Sequence, residues 1–177
     1  KGVKFHNGSD VTAEDVLYSI RRNADPSSET AYASAFSNVK EYKADGENIV
    51  ITLNQKDNDF LQSMTIGIIP KDVTDIATNP VGTGPYMYVS RSPQENVILK
   101  RFKDYWGEKA YIEDVTLKIC SNADSIVMDL LGGSVDFFAR ITASQALQLK
   151  DSNFNIEEGT MNLVQAMYLN NAVEPFN

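Results

Sequence analysis

Residues 1–16 read KGVKFHNGSDVTAEDV, and their order of chemistry is a strand, a turn and a helix start. Residues 1–5 have strand character, and Asn7-Gly8 supplies a turn because both residue types tolerate left-handed backbone geometry. Thr12 then precedes AEDVLYSIRRNA with Asp15 three positions on, a relative of the capping box, while Val16, Leu17 and Ile20 recur at helical spacing. A helix over residues 12–24 is expected. Asp25-Pro26-Ser27-Ser28 ends it, since proline disfavours helical geometry in the residue before it.

Working outward, residues 39–44 and 48–53 flank Asp45-Gly46 and predict a hairpin. Residues 57–64 read as a short helix capped by Asp57 or Asn58, residues 66–69 as a short buried strand closed by Pro70, and residues 72–80 as irregular. Residues 86–90 and 97–102 predict a second strand pair joined at Ser92-Pro93, and residues 115–119 a further strand. Ile126, Val127, Leu130 and Leu131 share a face of a helix over 123–131 that stops at Gly132-Gly133. A strand over 135–138, a helix over 142–150 with Ala146, Leu147 and Leu149 inward, and strands over 154–156 and 163–169 complete an α/β rhythm.

Composition removes several function classes. With 42% hydrophobic residues in 177, the chain can bury a core. Its 16 basic against 24 acidic residues, net charge -8, argue against a nucleic-acid partner, which needs clustered Lys and Arg. His6 and Cys120 are the sole histidine and cysteine, so no sequence cluster offers a tetrahedral metal site, and no cofactor or metal is expected. No apolar run approaches the roughly 20 residues of a membrane span, and no secretory leader opens the chain. Both ends read as cuts within a longer protein.

The opening segment together with VGTGPY (81–86), LKRFKDYWGEKAYIEDVTLKI (99–119), GSVDFFARI (133–141) and MNLVQAMYLNNAVEPF (161–176) resembles the extracytoplasmic solute-binding proteins, family 5, of peptide- and nickel-importing ATP-binding cassette transporters. The resemblance covers nearly the whole chain. It implies an α/β fold, a fragment of the class II periplasmic-binding-protein-like architecture with a mixed sheet flanked by helices, plus part of a small extra α+β subdomain. Residues 1–79 would belong to that subdomain of lobe I, residues 80–160 to the core of lobe I, and residues 161–177 to a crossing strand and the start of lobe II.

The same resemblance implies the ligand contacts. Phe138, Ala139 and Arg140 follow the Gly-x-Val-Asp strand at the cleft edge, and Met161, Ala166 and Tyr168 lie on the crossing strand; Asp136 is expected as a structural cap. Arg140 is the sharpest candidate, because a guanidinium presents a planar fork of donors to a carboxylate, with a solvated surface arginine as its alternative. For Tyr168 the alternative is core packing. Tyr105 and Trp106 are expected to plug a loop onto the core rather than to form a ligand shelf, and Gly82 and Gly84 to permit close backbone approach where the chain enters a strand.

No positioned nucleophile and base is visible, so no enzyme is expected. The implied function is the substrate-binding component of an importer that works outside the cytoplasm, in the periplasm or lipid-anchored at the cell surface, captures an oligopeptide or similar small solute between two lobes and delivers it to a membrane permease. A non-transport adhesion module on the same fold, and a hydrolase with a carboxylate pair assembled by folding, are the other readings.

Overall fold

The computed structural model describes residues 2–28, 32–160, 167 and 174. The chain forms two compact units, Lys1–Ile119 and Cys120–Asn177.

In the first unit, helix α1 (Ala13–Ala24) begins at Thr12, whose side chain accepts from the Asp15 N–H while the Asp15 carboxylate accepts from the Thr12 N–H at 2.9 Å, a reciprocal capping box. Its apolar face packs Ile20 against Phe36 and Phe60, with the two phenylalanine rings edge to face at 6.1 Å. The hairpin strands β1 (Val39–Asp45) and β2 (Asn48–Leu53) pair antiparallel and close the other side of this cluster through Val39, Tyr42, Ile49 and Ile51. Gly46 takes φ +62° in the hairpin loop, a conformation that glycine accepts without a Cβ clash.

The expected strand over 66–69 is absent, and the expected helix over 57–64 is a short 3₁₀ turn, Phe60–Met64. Two backbone N–H groups of residues 66–71 are taken by side chains of α1 instead of by a neighbouring strand. The Ile69 N–H donates to Ser19 Oγ at 2.9 Å, and the Lys71 N–H donates to Asp15 Oδ1 at 3.0 Å. Ser19 is fully buried and Asp15 nearly so. Burial alone pushes the Asp15 carboxyl up, but the hydrogen bonds from Thr12 and from the Lys71 N–H outweigh it, and the net shift is downward.

A three-stranded antiparallel sheet follows, in the order β3 (Tyr86–Ser92), β4 (Asn96–Arg101), β5 (Asp114–Lys118). The β3–β4 turn closes through the Glu95 N–H to Ser92 O at 3.0 Å, with Pro93 setting the entry and Gln94 held at φ +64°. Arg101 pins the β4–β5 connection by donating to the carbonyls of Ala110 and Tyr111.

The N-terminal segment is joined to the approach of this sheet by His6 and not by a strand ladder. Among the described residues Lys4 and Asp10 form a single bridge, since the Phe5 N–H is spent on Ser9 O and the His6 N–H on Gly82 O. The His6 ring accepts from the Gly82 N–H at Nδ1, sits 3.0 Å from Gly84 O at Nε2, and meets Phe102 edge to face. Gly82 and Gly84 have no positive φ, and an added Cβ at Gly82 meets nothing nearer than 3.6 Å, so the expected close backbone approach is not what these glycines provide.

The second unit packs helix α2 (Ala123–Leu131) against helix α3 (Ala143–Leu149) around Val127, Leu130 and Leu149, with Phe138 and Phe154 completing the cluster. Asn122 caps α2 by accepting from the Ser125 N–H at 2.8 Å. At its far end the Gly133 N–H donates to Leu130 O and the Ser134 N–H to Asp129 O, with Gly133 at φ +71°, a Schellman ending. Thr142 and Gln145 form a second capping box at the start of α3. Leu147, expected inward, is 70% exposed: Gln145 and Leu149, one helical turn apart, take the inner face, and residue 147 between them points away. Leu131 is likewise exposed. The expected strands over 135–138 and 154–156 do not form; the Val135 N–H is taken by Asp129 O, and Phe154 serves as core packing. The strand expected over 163–169 lies outside the described residues apart from Met167.

Asp15→Ala removes a cap and leaves the Lys71 N–H without its acceptor, and is expected to cost about 2 to 4 kcal/mol by equilibrium urea denaturation. Because the folded carboxyl is lowered, its contribution is present above the ordinary value of about 3.9 and is lost as pH falls through the folded value; Asp15→Ala should flatten that acid limb. Gln94→Gly relieves a left-handed side-chain residue and should raise stability by about 0.5 to 1 kcal/mol in the same assay, less any entropy that glycine adds to the unfolded chain.

Candidate functional site

The segment between α2 and α3 is the chemically distinctive part of the second unit. Residues 136–142 leave the Schellman ending of α2 and reach the Thr142 cap of α3 without forming a ladder, and this stretch lines a cleft of about 820 Å³. Leu130, Ala146, Leu149 and Phe154 contribute apolar lining, and residues 155–159 line it as well. The size falls within the range of small-molecule pockets, and an apolar base with a few polar groups at the rim is their usual composition.

Three of the residues expected to contact ligand are brought together here. Phe138 is half-buried and anchors the segment by packing on the Val127, Leu130 and Leu149 cluster. Ala139 and Arg140 are exposed on the cleft wall, and Arg140 makes no ion pair among the described residues, so its guanidinium is available to a carboxylate. Met161, Ala166 and Tyr168, the other expected contacts, lie outside the described residues.

Asp136 is not a helix cap: Asn122 and Thr142 cap α2 and α3, and Asp136 is exposed on the cleft wall. Phe154, Glu157 and Glu158 also line the cleft, and Glu157 accepts a hydrogen bond from Asn155 Nδ2 at 2.9 Å. Sequence reading did not single out these three, since no motif marks them and folding alone brings them to the same cleft as residues 136–142. Glu157, Glu158 and Asp136 are acidic and Arg140 is basic, so the lining of the cleft carries both signs of charge.

The aromatic pair of the first unit behaves differently from its expectation as a core plug. Tyr105 and Trp106 lie 5.2 Å apart in a tilted contact, but Trp106 is 62% exposed and its indole N–H donates to Thr83 O at 3.1 Å. Its role is to tie the β4–β5 connection to the Gly82–Gly84 strip through a hydrogen bond rather than through burial. Among the described residues no group of three or more His, Cys, Asp or Glu side chains is arranged to hold a metal ion, and no helix is long and apolar enough to cross a membrane.

Comparison with known proteins bears on both units. The chain is 29% identical over 154 residues to the oligopeptide-binding protein AppA of Bacillus subtilis, an alignment covering 78% of this chain and 28% of that protein. Among solved structures, NikZ from Campylobacter jejuni in complex with Ni(L-His) superposes with a TM-score of 0.79 at 25% identity, over 86% of this chain and 32% of that one. AppA from Bacillus subtilis in complex with a nonapeptide gives a TM-score of 0.76 at 25% identity, over 86% and 33%. The chain thus spans about a third or less of the length of these relatives, and its helices and sheets are a part of the periplasmic-binding-protein fold. The family model for bacterial extracellular solute-binding proteins, family 5 (middle), matches residues 1–177, and the chain belongs to that family.

Proposed function

We propose that the protein is the substrate-binding component of an ATP-binding cassette importer, which captures a peptide-like solute outside the cytoplasm and delivers it to a membrane permease. The observation that carries this reading is the cleft along residues 136–142, where Phe138, Ala139 and Arg140 line a wall at the position the family resemblance implies for ligand contact. Among the relatives, a peptide-like solute is favoured by AppA, an oligopeptide-binding protein whose structure holds a nonapeptide. A nickel chelate, as in NikZ with Ni(L-His), would use the same architecture with different polar groups.

In this reading residues 1–79 belong to a small extra subdomain, residues 80–160 to the core of one lobe, and Met161, Ala166 and Tyr168 to a strand crossing toward the second lobe and facing the solute. Hinge closure of the second lobe expels water from the cleft and strengthens each polar contact made there. Arg140 receives the solute's carboxylate as a bidentate pair, and Phe138 supplies an apolar wall fixed by its packing in the core. The protein acts by binding and handing over its solute and carries out no bond chemistry.

Two measurements test this. Isothermal titration of the intact protein with an oligopeptide mixture should show saturable binding, while a polypeptide of residues 1–177 binds the same mixture weaker by orders of magnitude or not at all; equal affinity of the two would contradict the two-lobe account. Arg140→Ala in the intact protein should weaken binding of a peptide with a free carboxylate by roughly 2 to 5 kcal/mol, the range for truncating one partner of a buried charge pair. The same change should leave a peptide whose carboxylate is amidated nearly unaffected, and an unchanged dissociation constant for both would reject this role.

A further inference from the structure

The N-terminal turn is not among the proposed solute contacts, and it holds the one Asn-Gly step in the chain, Asn7-Gly8. Both residues are exposed, and a Cβ built at Gly8 would meet nothing within 4 Å, so water has free access and no side chain shields the Gly8 nitrogen. Asn7 Oδ1 accepts two hydrogen bonds from the same residue, the Ser9 N–H at 3.1 Å and the Ser9 hydroxyl at 2.7 Å. Two donors on one amide oxygen draw charge from Cγ and stand where negative charge develops when a nucleophile adds there, the arrangement of an oxyanion hole.

We propose that Asn7 is a site of spontaneous backbone modification. The Gly8 nitrogen gives its proton to a base in solvent and forms a bond to Asn7 Cγ; the Cγ–Nδ2 bond breaks and ammonia leaves, taking up a proton from water. Water then opens the resulting five-membered imide. Addition at Cγ breaks the new bond and gives aspartate with an ordinary backbone, whereas addition at the Asn7 main-chain carbonyl gives isoaspartate, with the chain routed through Cγ. The Gly8 N–H donates to Phe5 O at 2.8 Å, and this bond must open for attack; the Asn7–Ser9 contacts are local and persist when it does.

The two products have different consequences. Aspartate accepts the same two bonds from Ser9 and adds one negative charge. Isoaspartate adds a carbon to the main chain inside the turn closed by the Phe5 N–H to Ser9 O bond at 2.8 Å, and so shifts the register that sets the direction of His6. His6 holds the Gly82–Gly84 strip by its ring and its backbone N–H, so isoaspartate loosens the junction between the N-terminal turn and the approach to β3.

Peptide mapping by mass spectrometry of the intact protein, incubated at neutral and mildly alkaline pH, reads this directly. Asn7 should convert ahead of every other asparagine, with isoaspartate among the products and a faster rate at the higher pH, because the attacking species is the deprotonated amide. Ser9→Ala, which removes the hydroxyl donor at an exposed position, should slow the conversion several-fold, and Ser9→Thr should restore it. Asn7 remaining an amide while another asparagine converts, or Ser9→Ala converting as fast as the unaltered protein, would overturn the proposal.

Discussion

The Asp15 carboxylate is the interaction on which the first unit depends. It accepts from the Thr12 N–H and hydroxyl on one oxygen and from the Lys71 N–H on the other, so one buried side chain starts α1 and fixes a segment 56 positions away. Ser19, one turn along, receives the Ile69 N–H and donates to Asp15 O. A buried carboxylate is costly without such partners, and a buried backbone N–H is costly without an acceptor; each removes the other's penalty. The result is that residues 66–71 lie on α1 without belonging to a sheet, and the Ile20, Phe36 and Phe60 cluster is closed beneath them.

In the second unit the same economy of backbone bonds leaves the candidate cleft exposed. Both helices are capped by their own flanking residues, and the Schellman ending of α2 uses up the carbonyls of Asp129 and Leu130. Residues 136–142 are therefore free of helix and ladder obligations and can present side chains to a cleft, while Phe138 keeps the segment in place from within the core. A rigid base beneath an irregular, polar-edged wall is the usual construction of a binding site.

Legibility in the sequence followed the range of the interactions. The Thr12–Asp15 box, the Asp45-Gly46 hairpin and the Gly132-Gly133 stop are set by neighbours within a few residues, and all three are present as read. Residues 66–69 misled because an apolar run beside a proline looks the same whether its N–H groups meet a strand or the side chains of Ser19 and Asp15. Leu147 misled because composition favours a leucine inside, while the helical period places Gln145 and Leu149 there. For the cleft, the Gly-x-Val-Asp marker located Phe138 to Arg140, but Phe154, Glu157 and Glu158 arrive through tertiary folding and carry no signal of their own. Trp106 shows that a large aromatic can be held by its indole N–H while most of its ring stays in water.

The central claim is that the solute meets residues 136–142. A photo-reactive oligopeptide, bound to the intact protein and irradiated, would report its own neighbours by mass spectrometry of the cross-linked peptides. The account predicts cross-links on the segment containing Phe138, Ala139 and Arg140, suppressed by excess unlabelled peptide. Specific cross-links confined to residues 1–119, with none on that segment, would contradict it.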